Sequence, residues 1–234
     1  MMVHALNKPI WLRRALDQDA LAELDEFFRD VTRPENRLSL DENLRSALAP
    51  VDRQIQKAIP KMHPVRALAF NKTTQTNWAL PWHQDRVIAT QERHELPGFR
   101  NWSQKESAWH CEPPEEILNQ MLFVRVHMDD TNAESGAMEI AAGSHAAGLV
   151  KSDEAAEVAA RYPTEVCTAA RGDILILPML TLHRSLAAPN PTARRVFRFG
   201  LCVYGIAISV KLGELIGPRW QIGLTGLRNP PIWR

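Results

Sequence analysis

The stretch LPWHQDRVI, residues 80–88, decides how this chain is read, because it sets an imidazole, His83, two positions before a carboxylate, Asp85, inside an otherwise apolar run. On a strand, residues i and i+2 project from one face, so the two side chains are expected to point the same way. A second imidazole, His183, follows the apolar run GDILILPMLTL much later in the chain. Two imidazoles and one carboxylate can hold ferrous iron on one face of an octahedron and leave the remaining positions open. An isolated HxD pair is also a common buried hydrogen bond, and the same ligands accept zinc or manganese, so the residue types alone leave the metal open.

Outward from that stretch, the chain after Pro64 runs in short segments bounded by Pro, Gly, Asn or Asp: VRALAFNK, WALPWHQDRVIAT, QMLFVRVHMDD, GAMEIAAGSH, TEVCTA, GDILILP and RRVFRFGLCVYG. Such runs predict the strands of an all-β core. Two helices are expected before them. Asp17 can cap one over Ala20 to Val31, with Leu21, Leu24, Phe27, Phe28 and Val31 on one face. The other begins near Asp41, carries Leu44, Leu48, Val51, Ile55 and Ile59, and is stopped by Pro60. The polar, Pro-rich segment over residues 89–116 reads as a loop that lines or closes a site, with Trp102, Trp109 and His110 divided between substrate contact and anchoring. A tail rich in Gly, Pro and aromatic residues follows and could wrap the domain or meet a second subunit. The expected organisation is one domain: a helical part over 1–63, a core over about 64–205 and the tail over 206–234.

The bulk numbers restrict the partners. Twenty-eight Lys and Arg against 27 Asp and Glu leave a formal charge of +1, which offers no electrostatic footprint for nucleic acid or an anionic membrane. A small-molecule substrate fits better. Three dispersed cysteines, Cys111, Cys167 and Cys202, read as reduced thiols. No apolar run approaches the roughly 18 residues of a membrane span and the first residues lack signal-peptide order, so a cytoplasmic protein is expected.

Four blocks in order, LPWHQD, DDTNAESGAMEIAAGSHAAG, GDILILPMLTLHRS and ARRVFRF, resemble the phytanoyl-CoA dioxygenase family of iron(II)- and 2-oxoglutarate-dependent oxygenases. The resemblance spans about residues 64–204. It implies a double-stranded β-helix, or jelly roll, mainly β with flanking helices, and makes His83, Asp85 and His183 the iron ligands. A guanidinium is suited to grip the distal carboxylate of 2-oxoglutarate bidentately. The family position for it falls on Arg194, with Arg195 adjacent and pointing the other way along the strand; Arg194 is favoured because the face of Arg195, Phe197 and Phe199 reads as core. Ser185 and Lys72 match positions that contact the cosubstrate. Arg125 stands where relatives carry a cavity-facing aromatic residue, and could bind cosubstrate, bind an acidic substrate or be a solvated edge residue.

The activity so implied is dioxygen-dependent hydroxylation of an unactivated C–H bond, with release of succinate and carbon dioxide. Asp85 favours it, since related halogenases carry a small residue there. The alternatives are a catalytically silent jelly-roll binding protein and a cupin-type enzyme using another divalent metal. Structural roles are expected for His127, for Ser144 and His145 of the GSH turn, for Trp78 and Trp82 and for Met121, Met128 and Met138; Glu139 is expected to point inward, and Gly136, Gly143 and Gly172 to serve turns or close contacts.

Overall fold

A computed structural model describes residues 8–202, apart from 30, 32, 34, 39, 40, 91, 94–96, 106, 107 and 192 and the side chains of 63 and 65. The C-terminal tail lies outside the described residues. In chain order the elements are β1 (Ile10–Leu12), α1 (Gln18–Glu26), β2 (Glu35–Leu38), α2 (Glu42–Ala47), α3 (Ala49–Ala58), β3 (His63–Lys72), β4 (Leu80–His83), β5 (Ile88–Thr90), β6 (Arg100–Lys105) and β7 (Ala108–Glu112). They continue with α4 (Glu115–Leu118), β8 (Met121–His127), β9 (Met138–Ala141), α5 (Ala155–Ala159), β10 (Thr164–Val166), β11 (Ile174–Pro178), β12 (His183–Ser185) and β13 (Arg194–Cys202).

The strands form a six-stranded sheet in the order β1-β11-β8-β13-β3-β2, a four-stranded sheet β10-β9-β12-β4 and a three-stranded sheet β5-β7-β6. This is a jelly roll, as the resemblance implied. The large sheet separates two chemistries, and β13 displays both. Its odd positions Phe197, Phe199 and Leu201 join Val124, Val126, Ile174 and Ile176 of the neighbouring strands in one apolar layer with Leu21, Leu24, Phe28, Leu44, Val51 and Ile55 of the helical region. Each such buried side chain contributes about 1.5–3 kcal/mol. The even positions Arg194, Val196 and Arg198 face the interior of the roll, where Phe123, Leu175, Leu177, Met138 and Ile140 make a second core.

The two helix starts follow the expectation: Asp17 Oδ1 accepts from the Ala20 N–H and Asp41 Oδ1 from the Leu44 N–H, both at 2.9 Å, each worth about 1 kcal/mol. The segment after Asp41 is broken at Leu48 rather than continuous to Pro60. Pro50 explains the break, since it has no N–H for a bond to Ser46 and is tolerated only in the first turn of a new helix. The segment over 89–116 differs more, because it holds β6, β7 and the short helix α4 and pairs with β5. Its strands are polar on both faces where exposed, which hides the two-residue alternation that marks a strand. Trp102 packs against the interior core, with Phe99 and Trp109 each 6.4 Å away between ring centroids. His110 and Cys111 are buried.

Met121, Met128 and Met138 are core residues. Among the described residues no helix is long and apolar enough to cross a membrane.

Candidate metal centre

β4 and β12 pair antiparallel with His83 opposite His183, so the four-stranded sheet itself brings the two imidazoles together, 4.3 Å apart between ring centroids. Asp85 reaches them by a different route from the one expected. The strand ends at His83, and residues 84–87 are irregular. Gln84 causes the turn: its buried amide donates to Gly148 O and Leu180 O, both at 2.8 Å, and accepts from the Val150 N–H at 2.9 Å. That clamp holds the chain after His83 and aims Asp85 back at the imidazoles. One ligand atom from each of His83, Asp85 and His183 lies within 4.8 Å of the others, and Asp85 Oδ2 is 3.2 Å from His183 Nε2.

Both histidines use one device to select the ring nitrogen presented. His83 Nδ1 is 2.7 Å from Pro81 O and His183 Nδ1 is 2.9 Å from Thr181 O, the carbonyl two residues earlier in each case. A carbonyl only accepts, so Nδ1 carries the hydrogen and Nε2 keeps its lone pair. Such an outer partner is what orients a ligating imidazole. Burial, and then His183, lower the basicity of His83, which favours the neutral ligand form. Burial alone would raise the Asp85 carboxyl, but Arg198 and the imidazoles outweigh it and hold the group far below the usual carboxylate range. The Ser144 hydroxyl accepts from the Leu182 N–H at 2.8 Å, so the GSH turn steadies the strand that carries His183.

Beyond the imidazoles lies a row of buried cations on the inner face of the large sheet. Arg194 stands opposite Lys72, and Arg198 opposite Arg125. Lys72 Nζ donates to Ser185 Oγ at 3.1 Å and to Leu186 O at 2.5 Å. Trp78 roofs this end, 4.8 Å from Lys72 Nζ and 5.7 Å from the Arg194 guanidinium. Gly136 closes it from the side: with φ at +71°, an added Cβ would come within 2.9 Å of Lys72 Nζ. Arg194 is 1 % exposed, and among the described residues its Nε and Nη1 have no hydrogen-bond partner. Burial and then Arg125 bring Arg194 down to about 9; burial, Arg194 and Arg125 bring Lys72 down to about 7. A buried guanidinium facing no carboxylate is a place for an anion to enter.

The remaining sequence-derived candidates divide. Ser185, Lys72, Arg125 and Arg194 share the interior with the triad. Arg195 does not: it is turned to the helical side, where Asp129 accepts from its backbone and side chain at 2.6–2.9 Å and Asp25 Oδ1 sits 2.9 Å from Nη1. Its neighbour on that layer is the Phe28 ring. Glu139 also faces outward, paired at 2.7 Å with Arg184, because it lies in register with Arg184 and not with His183. His127 is buried beside the Trp11 ring, 5.9 Å away between centroids; its Nδ1 is 3.3 Å from Thr131 Oγ1, and its Nε2 has no hydrogen-bond partner among the described residues.

Arg198 is the residue sequence reasoning passed over. It forms a close ion pair with Asp85 Oδ2, yet its own Nε is unpartnered. The signal was its place on the Arg194 face of one strand, four residues on. Nothing in the linear sequence tied it to Asp85.

A jelly roll whose minor sheet carries two imidazoles, with a carboxylate from the loop after β4 beside them and buried guanidinium groups on the major sheet opposite, defines a class of non-haem metal proteins. The chain belongs to the phytanoyl-CoA dioxygenase (PhyH) family, whose profile matches residues 11–196. No curated protein matches it in sequence. Among solved structures it is similar to AviO1 from Streptomyces viridochromogenes Tue57, at 17% identity and a TM-score of 0.51 over 86% of this chain and 93% of that one. HygX from Streptomyces hygroscopicus, solved with nickel and 2-oxoglutarate bound, aligns at 14% identity and a TM-score of 0.55 over 83% and 81% of the two chains. SnoN, a non-heme alpha ketoglutarate dependent epimerase from nogalamycin biosynthesis, aligns at 14% identity and a TM-score of 0.57 over 86% and 82%. These likenesses concern the fold.

Proposed function

We propose that the protein is an iron(II)- and 2-oxoglutarate-dependent dioxygenase that hydroxylates an unactivated C–H bond of a small molecule, with its catalytic residues in one domain. The observation that carries this is the pairing of a pre-oriented His83–Asp85–His183 face with the unpartnered, fully buried Arg194 on the opposite sheet. The first suits a divalent metal and the second a dicarboxylate that reaches across to it. Family membership supports the same reading.

Each residue has a definite task in this scheme. His83 and His183 present Nε2 and Asp85 one carboxylate oxygen to the metal. Arg194 grips the distal carboxylate of 2-oxoglutarate with two parallel charge-assisted hydrogen bonds, flanked by Lys72 and the Ser185 hydroxyl. Phe123, 5.2 Å from the His183 ring between centroids, keeps water from that side. Arg198 retains Asp85 in place and offsets its charge. The chemistry supplied by bound iron is coupling the oxidative decarboxylation of 2-oxoglutarate to succinate and carbon dioxide with insertion of the other oxygen atom of O2 into a C–H bond.

The test is an anaerobic titration of metal-free protein with ferrous iron and 2-oxoglutarate, read by the visible charge-transfer band of the chelate. The band is expected in wild type, absent in His183→Ala, weakened in Arg194→Ala and unchanged in Arg195→Ala. On admission of air, succinate is expected to form with one carbon dioxide each. Folded wild type without a band refutes the reading. An epimerised or halogenated product in place of an alcohol would retain the cofactors and overturn the reaction type.

A further inference from the structure

The interior carries more positive charge than the proposed cofactors consume. Six cations line one face of the large sheet: Lys72 and Arg194 at one end, Arg125, Arg198 and Arg37 across the middle and Arg66 at the other end. Among the described residues the carboxylates that pair with them are Asp85, held by Arg198, and Glu35, shared between Arg37 at 3.6 Å and Arg66 at 3.9 Å. Ferrous iron and 2-oxoglutarate carry equal and opposite charges, so their joint binding leaves the excess of four unchanged. Even with Lys72 discharged by its surroundings, three remain.

Arg125 is the clearest case. It is 6 % exposed, and among the described residues it makes no hydrogen bond or ion pair; its nearest π contact is the Phe70 ring at 5.9 Å. It remains charged at neutral pH, burial and then Arg198 lowering it only to about 10. Its cross-strand neighbour Arg198 has a second orphan donor, Nε. An isolated buried cation is retained only where something compensates it, and among the described residues the one carboxylate that favours the Arg125 charge is Asp85, which Arg198 already holds.

We propose that the substrate oxidised at this centre is an organic anion, a carboxylate or a phosphate ester, whose acidic group is held by Arg125 and Arg198. This rests on the dioxygenase reading for its location next to the metal. Arg125 is thereby a specificity determinant, distinct from the 2-oxoglutarate anchor Arg194.

The test uses zinc-loaded, 2-oxoglutarate-saturated protein, with three probes followed by fluorine NMR: 4,4,4-trifluorobutyrate, 3,3,3-trifluoropropyl phosphate and the neutral 4,4,4-trifluorobutan-1-ol. At least one anion is expected to bind tenfold or more tightly than the alcohol, and which one identifies the acidic group. Arg125→Met is expected to weaken that anion tenfold or more, in line with loss of a charge-assisted hydrogen bond. It should leave the dissociation constant of 2-oxoglutarate within threefold. Arg125→Lys should recover part of the anion affinity, and an unreduced melting temperature in Arg125→Met excludes misfolding. Equal binding of alcohol and anions overturns the proposal, as does an Arg125→Met effect confined to 2-oxoglutarate, which would place Arg125 in the cosubstrate clamp. A wild type that takes up no 2-oxoglutarate in the preliminary step defeats the dioxygenase reading and this proposal with it. One that takes it up but prefers no anion defeats this proposal alone.

Discussion

Replacing Arg194 by Met should stabilise the metal-free protein while disabling it, and the opposite signs are what make the experiment decisive. The guanidinium is 1 % exposed, meets no carboxylate among the described residues, and is drawn by burial and then by Arg125 from its ordinary range down to about 9. Its charged form is therefore penalised in the folded state by up to ~5 kcal/mol. Because a base with a lowered folded value is the case, that penalty is present in full below about pH 9 and is relieved only as the pH rises above it. Allowing for relaxation and water around the guanidinium, Arg194→Met should gain ~1–3 kcal/mol, or about 2–12 °C in melting temperature for a chain of this size. In the same variant 2-oxoglutarate loses a bidentate charge-assisted contact, worth ~1.5–3 kcal/mol, so its affinity should fall about 10- to 150-fold. Thermal melts of metal-free protein at pH 7.5 and an anaerobic 2-oxoglutarate titration measure the two sides. A variant that melts several degrees lower would mean that Arg194 is satisfied within the protein and that its donors are not orphaned.

Three further outcomes follow from the same geometry. Arg195→Ala should leave 2-oxoglutarate affinity within twofold and reduce stability by ~1–2 kcal/mol, because it removes the ion pairs to Asp129 and Asp25 on the helical side; paired denaturant and binding curves test this. Gln84→Ala strips three buried backbone groups of their partner, and should lower stability by ~2–4 kcal/mol and ferrous-iron affinity about 10- to 100-fold, measured by urea unfolding and metal competition. His127 is pulled down to about 3 by burial first and then Arg125 and Arg194. The unfolded chain protonates it first, so stability is full above about pH 6.5 and is lost as the pH falls toward 3, by ~5 kcal/mol in total. A His127→Asn variant should lack most of that acid slope, and an unchanged slope would remove His127 from the account.

The parts of this protein that were legible from sequence are those written in local chemistry. Asp17 and Asp41 announced their helices because a cap is a three-residue event. The alternation of β13 separated Arg194 from Arg195, since a strand sends neighbours to opposite faces. Short β12 was invisible, being three residues long, and so was β1, whose partner β11 lies far along the chain. Asp85 was placed by the wrong route: an HxD reading assumes a continuing strand, whereas Gln84 reaches across to the 148–150 and 180 segments and ends it. The same limit hid Arg198. Its role depends on the fold carrying β13 beneath the loop after β4, which no spacing rule encodes.

The alternation in β13 carries a consequence for how such a chain can change over time. Its two faces serve different materials, guanidinium groups inside and phenyl rings outside, from a single run of nine residues. Inserting one residue between Arg194 and Arg195 would carry Phe197 and Phe199 onto the site face and Arg198 into the apolar layer, unless a bulge such as the irregularity between Gly200 and Leu201 took it up. Identity at each position can drift one residue at a time, whereas a change of count inverts every residue beyond it that no bulge protects. The connection between Ser185 and Arg194 is where length can vary without that inversion, so the spacing from His183 to Arg194 is free to change there while the strand keeps its frame.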